Sequence, residues 1–400
     1  MSDIPVASRA AALARLAAFA PRMGQAYAAG RNHDPGPGAR RDVSGLSPHI
    51  RHRLLTEQEV VAAALARHGP EAAGKFIQEV FWRTCWKGWL EQRPAVWDRY
   101  CAGRDAALAA PPQGYAEALA GHTGIACFDA WLRELTESGW LHNHARMWFA
   151  SIWIFTLRLP WELGADLFLR HLLDADAASN TLSWRWVAGL QTRGKHYVAR
   201  AENIARFTGG RFDPRGLLAE NPAPLDDGPP PPARPLPPPQ APPEGPALLL
   251  LHEDDLHPES LPLGAARVLA VAGCAAPEAR SPLGCAPAAR AFTEAALADG
   301  LARAAAHFGA PARRVAVAEV AAFAARAGAR AVLMPWAPVG WTARALAPLR
   351  ASLTARGIGL HAVRREWDSL CWPHATRGFF AFREHIPALC AALVRAPGVA

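Results

Sequence analysis

The chain has 400 residues, of which 51% are apolar and 20% charged, with a formal net charge of +8. That is enough apolar matter for two packed domains, and it excludes a disordered or fibrous chain. The excess of Arg suits a surface that meets phosphates, although it also suits a GC-rich codon habit.

From the N-terminus, Ala-rich helical spacing is interrupted by Arg9, Arg15 and Arg22, so no signal peptide is expected. The most apolar run, Met147 to Leu157, closes at Arg158, well short of the ~20 residues that span a bilayer. It is expected to be a buried helix in a cytoplasmic protein with no membrane contact, expected to be a monomer. Residues 1–213 are rich in helical patterns, Trp and Arg, with hardly any strand alternation, and predict an all-α domain. Residues 214–246 carry Pro229 to Pro232, Pro235, Pro237 to Pro239, Pro242 and Pro243. These favour extended polyproline conformation and predict a linker.

Residues 247–400 then alternate short apolar runs with helical stretches. Ala247 to Leu251, Arg267 to Ala272, Ala331 to Met334 and Gly359 to Val363 read as strands, while Phe292 to His307 and Val317 to Ala327 read as helices. This β-α-β rhythm predicts a Rossmann-like parallel α/β domain after the all-α one. No phosphate-binding glycine motif follows any of its strands. Seven scattered cysteines, without a C-x-x-C pair or a His at zinc spacing, point to reduced thiols and no metal.

Chemistry concentrates in the helical half. Many of the fifteen tryptophans fall there, beside Gly139-Trp140-Leu141-His142-Asn143-His144-Ala145-Arg146-Met147 and Asp174-Ala175-Asp176-Ala177-Ala178-Ser179-Asn180. Buried Asn, Arg and Asp must find partners, and a bound polar heterocycle would supply them. Thr123, Gly124, Asp129, Ala130, Arg133, Leu135, Gly139, Trp140, His142, Asn143, Arg146 and Met147 share one spaced pattern. Asp174, Asp176, Ala178, Asn180, Trp184 and Trp186 share a second. Together they resemble the FAD-binding helical domain of the DNA photolyase and cryptochrome superfamily, over about Tyr27 to Arg206.

The resemblance implies FAD as cofactor. Tyr27, Arg31, Ser44, Leu46 and Ser47 would form the phosphate side of the site, with Val43 in place of the usual Thr, and Arg83 would lie near the phosphates. Arg146 and Asp174 would form an ion pair beside the flavin ring, Asp176 would accept further hydrogen bonds, Asn143 would also touch the cofactor, and Asn180 would face flavin N5. Trp184 and Trp161 match the first two members of an electron-transfer chain. No Trp stands near Leu108, where a third is expected, leaving Tyr115 or Trp97 as substitutes.

Glu79, Trp82, Asn143, His144, Met147 and Trp186 match the pocket that receives a flipped-out pyrimidine dimer. Asn143, where (6-4)-type relatives carry His, favours cyclobutane dimers; His144 replaces an Arg usual in that class. Only Cys85, Cys101 and Cys127 lie in the helical half, which excludes the iron-sulfur branch.

The end of the chain, from Leu349 through Trp367, Leu370, Pro373 and Gly378-Phe379-Phe380-Ala381-Phe382, resembles the close of the family's α/β antenna domain. In relatives that domain precedes the helical one, so the order resembles a circular permutation. The opening Leu250-Leu251-His252-Glu253-Asp254-Asp255 carries acidic residues where the family has basic ones, and leaves the antenna chromophore unknown. The resemblance implies a deoxyribodipyrimidine photolyase-like lyase that repairs dimer-containing DNA with light and reduced FAD. The alternative is a cryptochrome-like blue-light receptor that binds FAD without repair.

Overall fold

The computed structural model describes residues 4–395. Helices fill the chain to Phe207, and a five-stranded sheet with its covering helices fills residues 245–395. At the centre of the helical part runs the Gly74–Glu91 helix, which buries Phe76, Ile77, Val80, Phe81, Cys85, Trp86, Trp89 and Leu90. The Glu57–Ala72 helix beside it starts at a capping box in which Thr56 and Glu59 satisfy each other's amides. The apolar run expected as one helix is an α-helix over Asn143–Ser151 that widens into a π-turn over Ile152–Thr156. The helix Ala177–Ala188 is capped by Asp176, whose Oδ1 accepts the Ser179 amide at 2.7 Å.

The sheet holds β1 (Gly245–His252), β2 (Ala266–Cys274), β3 (Ala312–Arg314), β4 (Ala331–Pro335) and β5 (Gly359–Val363) in the order β3-β2-β1-β4-β5, every pair parallel. Central β1 is buried on both faces from Ala247 to His252, which is why its sequence is continuously apolar rather than alternating. Four strands are legible as apolar runs. The fifth, β3, is a three-residue edge strand with two exposed arginines and carries no such run.

The Pro-rich segment 214–244 has no regular structure, yet it is not a loose tether. The Leu225 amide bonds the Ala188 carbonyl at 2.9 Å, and the Arg234 amide bonds Gln92 at 2.8 Å. Asp227 pairs with Arg185 at 2.7 Å. The segment is therefore strapped along the helical part on its way to β1.

Between the two parts lies a shared core. Phe81 stacks on Trp367 with centroids 4.9 Å apart, and Gly88 lets the backbone of Trp372 approach so closely that an added Cβ would lie 2.8 Å from its Cα. Acidic Glu253, Asp254 and Asp255 sit just past the carboxyl end of β1, at the switch point of the strand order where α/β sheets usually hold ligands. Here the helical part fills that crevice. Arg51 pairs with Asp254 at 2.5 Å, and Arg53 pairs with Asp255 at 3.1 Å, Asp368 at 2.6 Å and Glu57 at 3.2 Å. Arg53 holds a left-handed φ of 49°, a strained conformation fixed by these partners. The acidic residues that depart from the family pattern are thus the counter-charges of Arg51 and Arg53.

Candidate flavin and substrate cavity

A cavity of about 600 Å³ opens in the helical part. Four stretches bring its walls together: Tyr27 to Ser47, the Gly74–Glu91 helix, and the helices Asn143–Ser151 and Ala177–Ala188. On the long helix, Glu79, Trp82, Arg83 and Trp86 recur at three- and four-residue spacing and so face one side. Tyr27, Arg31, Ser44, Ser47, Asn143, His144, Arg146, Met147, Asp174, Asp176, Asn180, Trp184 and Trp186 complete the lining expected from sequence.

Two expected residues lie elsewhere. Leu46 is wholly buried in the core and its amide donates to the Ser44 hydroxyl at 3.3 Å, so it turns inward while the serines on either side face the cavity. Trp161 sits behind the wall, its ring 5.6 Å from Tyr100, which in turn lies 5.1 Å from Trp97. Trp97 therefore connects to Trp161 through Tyr100, a residue the sequence did not single out. Tyr115 instead packs 6.1 Å from Trp153, which touches Trp184 at 6.3 Å. Gly164 makes room for Trp184: a Cβ there would meet the indole at 2.3 Å.

The charges of the lining form two sets. Arg146 reaches Asp174 at 2.9 Å and is steadied by the Leu141 carbonyl at 2.8 Å. Arg83 reaches Asp176 at 3.1 Å and Glu57 at 3.5 Å. Burial alone would raise Asp176, but the charges of Arg83, Lys87 and Arg51 outweigh it and hold the carboxyl well below the usual range. Glu79 pairs with Arg31, so the residue expected at the substrate side and the one expected at the phosphate side meet. Burial still raises the Glu79 carboxyl against the pull of Arg31. His144 leans on Trp148 at 4.1 Å, and burial lowers the pKa of its imidazole.

Polar atoms without partners mark what the cavity is built to hold. Asp174 Oδ1, the Ser179 hydroxyl and the Trp184 indole N–H are buried and make no hydrogen bond within the chain. Asn180 donates its amide to the Ala165 carbonyl at 2.8 Å, which fixes the orientation of its side chain. Arginines and serines at one end, with carboxylates, an amide and aromatic rings at the other, match a ligand that carries both phosphates and a hydrogen-bonding heterocycle. The residues present fit FAD. The volume lies within the roughly 300–1,000 Å³ typical of ligand pockets.

Residues 76–221 match the family described as the FAD binding domain of DNA photolyase. Over that stretch, which is less than half of its length, the chain is similar to the FAD binding domain of DNA photolyase. It is 36% identical over 175 residues to the deoxyribodipyrimidine photo-lyase of Streptomyces griseus, covering 44% of this chain and 37% of that one. It is 33% identical over 226 residues to that of Thermus thermophilus, covering 55% and 51%. The chain thus spans between about a third and a half of these curated relatives. A class III photolyase structure from Agrobacterium tumefaciens matches at TM-score 0.43 and 26% identity, over 52% of this chain and 44% of that one.

The lining beyond the expected set includes Asn32, Ile50, Phe76, Trp140, Phe168, Ser179 and Ser183. Trp140 belongs to the first motif and Ser179 and Ser183 stand inside the second, so they could have been found there; Asn32 and Ile50 carry no local signal. Among the described residues no helix is long and apolar enough to cross a membrane, and no group of three or more His, Cys, Asp or Glu is placed to hold a metal ion.

Proposed function

We propose that this chain is a light-dependent, FAD-containing lyase that splits cyclobutane pyrimidine dimers in DNA. The observation that carries this reading is a single cavity lined both by the arginine-carboxylate pairs of a flavin site and by Trp82, Trp86, Met147 and Trp186. A flavin and a flipped-out dinucleotide would then share one space. When bound and reduced, FAD supplies light-driven donation of a single electron.

The chain's own residues do the rest. Ser44 and Ser47 donate hydrogen bonds to phosphates that Arg31 and Arg83 neutralise, Arg146 with Asp174 and Asp176 holds the hydrogen-bonding end, and Asn180 offers an uncharged amide to an electron-rich ring. Glu79, Asn143 and His144 bond the extruded bases, while Trp82, Met147 and Trp186 give faces that offset lost base stacking, about 1–3 kcal/mol per base. Trp184 and Trp161, continued by Tyr100 and Trp97, relay electrons from outside. We read the chain as a cytoplasmic monomer divided at residues 1–213, 214–246 and 247–400 into a helical domain, a strap and an α/β domain.

A second reading, a blue-light receptor without repair, is favoured by one observation. Arg83 joins cavity-lining Asp176 to Glu57, and Arg53 carries that link to Asp255 and Asp368 of the α/β part. Dark binding to matched oligonucleotides separates the two readings. A lyase prefers the dimer-containing duplex, whereas a receptor binds damaged and intact DNA alike.

A further inference from the structure

Phe380 is 71% exposed and is the only exposed Phe, Tyr or Trp among the described residues. It stands on the short helix Phe379–Arg383, far along the chain from the cavity, yet that helix is fastened directly to the cavity wall. The preceding residue, Phe379, stacks face to face on Trp82 with centroids 3.7 Å apart and planes 11° apart. Phe382, two residues on, packs 6.1 Å from Phe81 on the same long helix. The helix is thus held by two of its three phenylalanines, and the third points to solvent.

An exposed aromatic ring costs solvation free energy with no return to the fold, so its position beside a substrate wall calls for an occupant. The charge around it is positive. The Arg383 guanidinium lies 5.4 Å over the Phe380 ring, Arg377 is exposed just before the helix, and the acidic residue of this stretch is the single Glu384. A ring with cations at its edge suits the bases and phosphates of a nucleic acid.

We propose that the Phe379–Arg383 helix is a lip for duplex DNA, contributed by the α/β part. Phe380 packs against the base pair beside the gap left by an extruded dinucleotide, and Arg377 and Arg383 hold the flanking phosphates. This rests on the reading of the cavity as a dimer site. It also gives the α/β part a role in the DNA complex that needs no chromophore. Phe379 couples the lip to the pocket: by covering one face of Trp82 it leaves the other face to the lesion.

The test is the affinity of the full chain, in the dark, for a duplex with one thymine dimer and for the same duplex undamaged. Phe380→Ala should lower affinity for the damaged duplex by about tenfold, the scale of one lost base–aromatic stack. Flavin content and melting temperature should not change, because the side chain touches little of the fold. Phe380→Trp should retain the affinity, and Arg383→Gln should reduce the salt dependence of binding by about one phosphate contact. Preference for the dimer in the original chain together with unchanged affinity in Phe380→Ala overturns the lip and leaves the cavity reading intact. A change in sedimentation from dimer to monomer in Phe380→Ala, with DNA affinity unmoved, overturns it in favour of a contact between two copies. Absence of any preference for damaged DNA in the original chain removes the cavity reading and the lip with it.

Discussion

Asp174 and Asp255 are both buried carboxylates answered by arginine, and they differ in what is left over. At the joint between the two parts, Asp255 spends both oxygens: Oδ2 takes Arg53 at 3.1 Å and Arg365 at 2.6 Å, and Oδ1 takes Arg365 at 2.7 Å. In the cavity, Asp174 gives one oxygen to Arg146 and leaves Oδ1 buried with no partner. Unpartnered carboxylate oxygens occur at the joint too, Glu57 Oε1 and Glu253 Oε2, but Asp174 lines the cavity and they do not. Charge alone does not separate the two regions; an unpartnered acceptor on a residue that lines open space does.

Breaking each region should therefore have different consequences. The largest effect belongs to the joint. Arg53→Ala strands Glu57, Asp255 and Asp368 without their shared cation, and should lower unfolding free energy by about 3–5 kcal/mol, read by chemical denaturation. In the cavity, Asp174→Ala leaves Arg146 without its carboxylate and removes the unpartnered acceptor. It should weaken flavin retention by roughly tenfold or more, seen as a fall in visible absorbance relative to protein absorbance, with a smaller change in stability. Trp82→Ala should keep its flavin and lose about tenfold in affinity for dimer-containing DNA, measured by fluorescence anisotropy.

The smallest effect sharpens the account of the joint. Glu91 accepts the Val339 amide at 2.6 Å and the Trp336 indole at 3.1 Å across the interface, and burial raises its carboxyl to about 7. A folded-state value above the unfolded one means that the fold favours the protonated acid. This contribution is full at low pH and is lost as pH rises through about 7. Between pH 6 and pH 8 it should cost on the order of 1 kcal/mol of stability, and Glu91→Gln should flatten that slope in thermal melts at the two pH values.

How much of this was legible in the sequence follows from how locally each feature is encoded. The cavity residues sit in segments whose polar and aromatic types are spaced to share helix faces, so Asp174, Asp176, Asn180 and Trp184 could be read from one stretch. Strands β1, β2, β4 and β5 were legible because buried parallel strands must be apolar; β3, short and edge-placed, need not be. The joint was not legible. Arg53 meets its partners 202 and 315 residues away, and nothing near Glu253-Asp254-Asp255 announces that arginines from the helical part will neutralise them. Read alone, that acidic run marked only a lost family pattern. The stack of Phe379 on Trp82 was equally hidden, since packing between distant aromatic residues leaves no periodic trace.

The most direct test of the central claim is the loss of thymine dimers from an irradiated oligonucleotide under blue light, with a reductant present and a dark control alongside. The account predicts light-dependent restoration of intact thymines by protein that carries a flavin spectrum. Flavin-bound protein that leaves the dimers untouched in light and dark alike would contradict it and leave the receptor reading in its place.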